Sequence, residues 1–329
     1  MHMKHTYKYK FSIVTAVYNT ADYIDEMMES LINQDIGFLE NVQVLLVDDG
    51  STDLSLDKCK SYEKKYPNNV QVISLNHNGV SNSRNEGINL AEGEYINFLD
   101  SDDKLGLNAL RCSFDFLEKN YKEVDLVAIP LYFFDAEDGP HVLNYKFSNN
   151  RIIDISKEYD CIQLSSSSTF IKADVLKKYK FNIKLKSAED AELLTKIIIE
   201  KGKYGVINNT KYYYRRRRNN SSATQGIEKK EWYLDYIRDF SYEMIKNNKE
   251  NDKRYQKYIQ YLVMYDLQWR INRIKYIKNV LSDSEQKEFM GKLIYILKRI
   301  HISIIFKQKF MNIRKKALVI YFKYYKRNI

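Results

Sequence analysis

The sequence predicts an α/β protein, a mixed or parallel sheet flanked by helices, with a helical C-terminal region. Three observations carry this. The first 130 residues alternate apolar strand-like runs with helix-spaced segments, the signature of parallel strands joined by crossover helices. A chain of 329 residues that is 44% hydrophobic and 14% aromatic can bury a sizeable core, and only three Pro and eleven Gly leave no room for linker-dominated organisation. Beyond residue 225 the composition turns to Lys, Tyr, Ile and Leu at helical spacing.

The first strand is expected at 11–17 and the second at 42–48. Between them Ile24, Met27, Met28, Leu31 and Ile32 recur at i, i+3, i+4, i+7 and i+8, one apolar helical face. Further strands are expected at 70–75, 94–99 and 124–130, with helices over 81–91 and 105–121. From 139 to 186 the pattern breaks into short strand-like pieces with a polar run at Ser165 to Ser168, before a helix over 188–202. Tyr255, Tyr258, Leu262, Tyr265 and Trp269 repeat at three and four residues, so the C-terminal region is read as helical. Two domains are expected, 1–225 and 226–329.

No apolar run approaches the roughly 18 residues that span a bilayer, and Met1 to His5 opens no signal-peptide pattern. Cys59, Cys112 and Cys161 form no Cys-x-x-Cys pair, so a reduced, cytoplasmic protein is expected. The formal charge of +10 is local: eleven of the 53 Lys and Arg lie in 289–329, which holds no Asp or Glu, leaving 42 basic against 43 acidic residues before it. Such a block suggests an anionic partner, nucleic acid or a membrane surface met from the cytoplasmic side, with a solvated helical face as the bland and commoner reading, and the membrane surface is the one carried forward. Its rival is packing of Ile296, Leu297, Ile300 and Ile304 into a core.

In open α/β sheets ligands sit beyond the carboxyl ends of the strands, and three of those ends are polar here. They read Thr15-Ala16-Val17-Tyr18-Asn19, Val47-Asp48-Asp49-Gly50-Ser51-Thr52-Asp53 and Leu99-Asp100-Ser101-Asp102-Asp103. No Gly-rich phosphate loop follows the first strand, which disfavours dinucleotide and P-loop enzymes. The alternate carboxylates of Asp100 and Asp102 can reach one hard cation, and that cation can neutralise a diphosphate; helix capping is the bland reading of the same residues.

Together with Arg84-Asn85-Glu86-Gly87 and Ala188-Glu189-Asp190, these segments resemble the family 2 inverting glycosyltransferases of GT-A fold, in order and in spacing. The resemblance covers about residues 10–224. It implies that Tyr18 and Asp49 hold a nucleotide base, with Ala16 where the family often has Pro, and that Arg84, Asp100 and Ser101 also bind the nucleotide. It implies Asp102, helped by Asp100, as ligand of manganese or magnesium, with a UDP-sugar as donor. Glu189 and Asp190 match the acidic pair near the acceptor, Asp190 as base; alone, they would read as acids complementing a helix dipole. One or two of Arg215 to Arg218, Arg217 taken first, with Ser221 or Ser222, are expected to touch the diphosphate from a segment that closes over the donor; nucleic-acid binding by that run is set aside.

The expected activity is metal-dependent sugar transfer to a hydroxyl of a bacterial surface polysaccharide, on a carbohydrate or polyol-phosphate acceptor. The alternatives are a nucleotidyltransferase, for which a Gly-rich basic opening loop is missing, and a non-catalytic nucleotide-binding or scaffold subunit, against which all the carboxylates argue.

Overall fold

The computed structural model describes residues 7–218, 229–248 and 252–324. The chain divides into two compact units. The first comprises residues 7–153, 163–183 and 189–218; the second comprises 154–162, 184–188 and the described residues from 229 onward. The expected boundary at residue 225 lies outside the described residues, and the division is not a single cut.

In the first unit the elements run β1 (Tyr9–Val17), α1 (Ile24–Ile32), α2 (Phe38–Asn41), β2 (Val42–Asp48), α3 (Ser55–Lys65), β3 (Val70–Ser74), α4 (Val80–Leu90), β4 (Gly93–Asn97) and β5 (Lys104–Leu105). They continue as α5 (Ala109–Lys119), β6 (Leu126–Ala128), β7 (Leu131–Asp135), β8 (Gly139–Pro140), β9 (Arg151–Asp154), β10 (Thr169–Lys172), α6 (Ala173–Lys178), α7 (Glu189–Lys201), β11 (Lys203–Val206) and β12 (Tyr212–Arg216). An 8-stranded sheet has the order β3-β2-β1-β4-β10-β6-β11-β9. β3, β2, β1 and β4 are parallel, and β10 enters antiparallel between β4 and β6. The sheet is therefore mixed, an α/β architecture of the expected class.

β2 is buried along its whole length, as an apolar strand covered on both faces should be. α1 forms where its apolar stripe predicted, with Ile24, Met27, Met28 and Leu31 buried. α4 lies so close to β1 that a Cβ on Gly87 would come within 2.2 Å of Val14 Cγ1; only glycine permits this approach.

Three local readings differ from expectation. α3 has no counterpart among the expected helices, because Ser55–Lys65 buries only Ser55 and Cys59 and so carries no apolar stripe. The helix expected from residue 105 begins at Ala109, since Lys104–Leu105 pairs with β12. The Tyr- and Arg-rich run, expected as a closing loop, begins as a strand: β12 lies parallel to β7 and antiparallel to β5 in a 4-stranded sheet, order β5-β12-β7-β8. Residues 219–222 of that run lie outside the described residues.

The second unit is helical: α8 (Lys230–Asp235), a π-helical stretch (Tyr236–Tyr242), α9 (Glu243–Asn247), α10 (Gln256–Asn272), α11 (Asp283–Arg299), α12 (Ile302–Lys307) and α13 (Ile313–Tyr324). Ser282 and Glu285 close a capping box at the start of α11. Arg270 is buried against Asp266, its guanidinium 3.7 Å from the Tyr236 ring centre. Ile296, Leu297, Ile300 and Ile304 are fully buried, and Lys323 donates to the carbonyls of Leu297 and Lys298 at the end of α11. The apolar side chains of the basic block thus serve a core, and one of its lysines caps a helix. Among the described residues no helix is long and apolar enough to cross a membrane.

Candidate active site

β1, β2 and β4 are parallel, so their carboxyl ends open on one edge of the sheet, and Val17 pairs with Asp48 at that edge. The chain there turns sharply. Gly50 has φ 80°, and Asn19 and His77 hold positive φ without being glycine. The Asn19 side chain accepts from the Thr52 amide at 2.8 Å, tying the β1 and β2 exits together.

Asp49 is buried behind this edge. Its two carboxylate oxygens accept from the Asn78 and Gly79 amides at 2.7 and 2.9 Å, fixing the turn into α4. The Asp49 carbonyl lies 3.0 Å from His77 Nδ1, and the His77 ring lies 4.4 Å from that of Tyr18. Tyr18 is 45% exposed. Tyr18 thus stacks on His77, and the Asp49 carboxylate, expected on a nucleotide base, is engaged by two backbone amides. Ala16, within β1 and opposite Val47, adds no polar group.

Beyond β4 the chain presents Asp100, Ser101, Asp102 and Asp103. Burial pushes the Asp100 carboxyl up to about 6, Asp102 and Asp190 adding to the effect and Arg84 opposing it. Burial likewise holds Asp103 well above the usual carboxylate range, with Asp100 and Asp102 adding to it. Asp103 accepts from the Tyr212 hydroxyl at 2.6 Å and from the Arg215 amide at 2.7 Å, so β12 grips this segment. Arg215 also donates to the Asp102 carbonyl and pairs with Glu26 and Asp135. Ser101 is buried within the turn. Arg217 lies 2.7 Å from the Asp102 carboxylate.

Arg84, on α4, is 6% exposed and reaches three carboxylates: Asp190 at 2.7 Å, Asp100 at 2.9 Å and Glu189 at 3.2 Å. Burial alone would discourage its charge, but these three anions hold it firmly protonated. Glu189 is raised by burial and by Asp190, against Arg84. The second oxygen of Asp190 accepts from the Ser166 amide at 3.0 Å. Ala188, just before α7, has φ 64°, a strained backbone for an alanine and a conformation that clusters at functional sites.

The structure gathers Asp100, Glu189 and Asp190 around Arg84 and sets Arg217 on Asp102. Arg84 was expected on the nucleotide, whereas its guanidinium is occupied by carboxylates; Arg217 was expected on the diphosphate and lies on Asp102. Ser221 lies outside the described residues. Ser166 falls in the polar Ser165 to Ser168 run, Tyr212 and Arg215 fall in the Tyr- and Arg-rich run, and His77 lies near the expected nucleotide crevice; their contacts with Asp190, Asp103 and Tyr18 join residues remote in sequence, and no local pattern reveals them.

Among the described residues no group of three or more His, Cys, Asp or Glu is arranged to hold a metal by itself. Asp100 and Asp102 do offer the carboxylate oxygens a hard cation prefers, each here paired with an arginine, Arg84 and Arg217.

The profile of the family described as "Glycosyl transferase family 2" matches residues 12–180, from β1 through α6. The chain belongs to this family. It is 39% identical over 305 residues to "Minor teichoic acid biosynthesis protein GgaB" of Bacillus subtilis (strain 168), a match covering 92% of this chain and 34% of GgaB. Against "Minor teichoic acid biosynthesis protein GgaA" of the same organism it is 31% identical over 301 residues, covering 88% of this chain and 66% of GgaA. The chain therefore spans about a third of one relative and just under two thirds of the other. Its fold resembles that of S. aureus TarS 1-349, determined in complex with UDP, with TM-score 0.70 and 21% identity over 95% of this chain and 87% of that one. The fold is thus GT-A, and the family's matched region ends before Asp190, Arg215 and Arg217.

Proposed function

We propose that the chain transfers a sugar, with inversion, from a UDP-sugar to a hydroxyl of a polyol-phosphate polymer of the teichoic acid type. The observation that carries this reading is the Arg84 bridge, which sets the Asp100 end of the site against Glu189 and Asp190 across one buried guanidinium. Inverting transfer needs this polarity: a carboxylate to take the acceptor proton on one side, and stabilisation of a departing diphosphate on the other. Both named Bacillus relatives belong to minor teichoic acid biosynthesis, and TarS, a poly(ribitol-phosphate) N-acetylglucosaminyltransferase by name, supports a polyol-phosphate acceptor and a UDP-linked donor.

In this reading the nucleobase lies on Tyr18, with Asp49 behind it holding the turn in shape. Asp190 removes the proton from the acceptor hydroxyl, and Glu189 keeps the local field negative. Asp102 and Asp100 hold manganese or magnesium, which supplies charge neutralisation to the diphosphate when bound. Arg217, now on Asp102, is placed to turn to an arriving phosphate. The enzyme works on the cytoplasmic side, where the UDP-sugar is supplied, and the lysines left exposed on the second unit meet the anionic membrane surface.

UDP release from a panel of UDP-sugars, with a poly(ribitol phosphate) or poly(glycerol phosphate) acceptor and with or without manganese, tests the reading. Turnover that depends on one sugar, on the polymer and on manganese is expected. Absence of turnover with every donor, while UDP still binds, would point instead to a nucleotide-binding subunit.

A further inference from the structure

Asp190 is held from two sides. Arg84 takes one carboxylate oxygen, and the other accepts from the backbone amide of Ser166, in a segment that is neither helix nor strand. An irregular segment can fix an amide to within a few tenths of an ångström only if its own polar groups are fixed.

They are, by two buried side-chain amides. Asn97, the last residue of β4, donates through Nδ2 to the Ser167 carbonyl at 2.7 Å and the Thr169 carbonyl at 2.9 Å. From the opposite direction Gln163 Nε2 lies 3.0 Å from the Ser165 carbonyl, 3.2 Å from Ser168 Oγ and 3.0 Å from Thr169 Oγ1. Gln163 is itself oriented, because its Oε1 accepts from the buried ammonium of Lys146 at 2.6 Å. Asn97, Gln163 and Lys146 are all buried. Buried amides and a buried ammonium cost stability unless bonded; here Asn97 Oδ1 and Ser166 Oγ find no partner among the described residues, so the support rests on the bonds that Asn97, Gln163 and Lys146 donate.

We propose that Asn97 and Gln163 are positioning residues for sugar transfer: they lock residues 165–169 so that the Ser166 amide orients Asp190 toward the acceptor hydroxyl. The proposal rests on the reading of Asp190 as the base. It concerns the acceptor half of the reaction, because the bonds described run from both amides to residues 165–169 and from there to Asp190. Misplacing a reacting group by about 1 Å can cost on the order of a hundredfold in rate, so loss of the support should lower kcat and spare donor binding.

The test uses Gln163→Glu, which keeps the acceptor oxygen for Lys146 and removes the donor that holds 165–169. Hydrogen exchange followed by mass spectrometry should show amides of 164–169 exchanging at least tenfold faster, with exchange elsewhere in the first unit unchanged. UDP affinity, by titration of the whole chain with UDP and manganese, should stay within twofold. With UDP-N-acetylglucosamine and poly(ribitol phosphate), or the pair the donor panel selects, kcat should fall ten- to a hundredfold at unchanged donor KM. In an Asp190→Asn background the same change should cost less than twofold, since no base remains to be placed. Equal losses in both backgrounds, unchanged exchange at 164–169, or a loss of UDP affinity matching the loss of kcat would each overturn the proposal. Should Gln163→Glu fail to fold, Thr169→Val, which keeps shape and removes one hydroxyl that Gln163 meets, should give the same pattern at smaller size. Failure of the base reading shows separately, as Asp190→Asn retaining activity; the exchange measurement stands without any donor.

Discussion

The guanidinium of Arg84 lies 2.7 Å from Asp190 and 2.9 Å from Asp100, so one buried cation joins carboxylates 106 and 16 residues away along the chain. Removing it leaves three carboxylates facing one another with little water to screen them. Arg84→Ala should therefore destabilise the protein by about 3–5 kcal/mol in urea unfolding. Arg84→Lys keeps the charge but cannot fork, so it should recover a large part of that stability and little of the transfer rate. Equal stability of the Ala and Lys variants would remove the electrostatic explanation.

Asp190→Asn keeps shape and removes the proton-accepting charge. Sugar transfer should fall by roughly a hundred- to ten-thousandfold, while UDP affinity in manganese changes little. If Glu189→Gln costs far more than Asp190→Asn in the same assay, Glu189 is the base. The upward push on its carboxyl would then be the property that matters.

Asp102→Ala should abolish the strengthening of UDP affinity by manganese, and do so without loss of fold, because Asp103 rather than Asp102 carries the bonds from Tyr212 and the Arg215 amide. Titration of UDP with and without the cation reads this directly; a preserved manganese effect of tenfold or more would rule out Asp102 as a ligand.

His141 accepts at Nδ1 from the Leu143 amide, and burial, with Lys146 and Arg216 nearby, pushes its pKa down to about 4. The unfolded chain binds this proton more readily than the folded one between the ordinary value near 6.5 and about 4. Stability should therefore fall as pH drops through that window, by on the order of 2 kcal/mol, and be fully present above it. His141→Asn can still cap the turn and does not titrate, so its unfolding midpoint should show a flatter pH dependence from 6.5 to 4. Identical slopes for the two proteins would assign the acid sensitivity elsewhere.

Gly87→Ala should cost about 1–3 kcal/mol by overpacking, since the added methyl meets Val14 at the α4–β1 contact. Pairing it with Val14→Ala should return part of the loss in thermal unfolding; no recovery would place the strain elsewhere.

Much of the scaffold was legible in the sequence, for reasons that specific residues make plain. α1 announces itself because five apolar side chains share one stripe, and β2 because an apolar run ends abruptly in Asp48 and Asp49. α3 stayed hidden because it turns an almost wholly polar surface outward. β12 is not legible because Arg215 is neutralised by Glu26 and Asp135, Arg216 by Glu137 and the following Arg217 by Asp102, and a run of like charge reads as a loop until its partners are known. At the site, the acids could be picked out by position at strand ends. Their grouping around Arg84 could not, because no local pattern encodes a contact among α4, the β4 exit and α7.

The hold of β12 on Asp103 also sets a schedule. Tyr212 and the Arg215 amide lie 109 and 112 residues downstream of the carboxylate they secure. At ordinary rates of synthesis the loop that carries Asp100 to Asp103 emerges from the ribosome roughly 6–22 s before the strand that fastens it. Through that interval the Asp103 carboxylate lacks the two bonds that secure it in the finished protein. A protein cut at residue 180, where the family's matched region stops, would remain in that unfinished condition permanently.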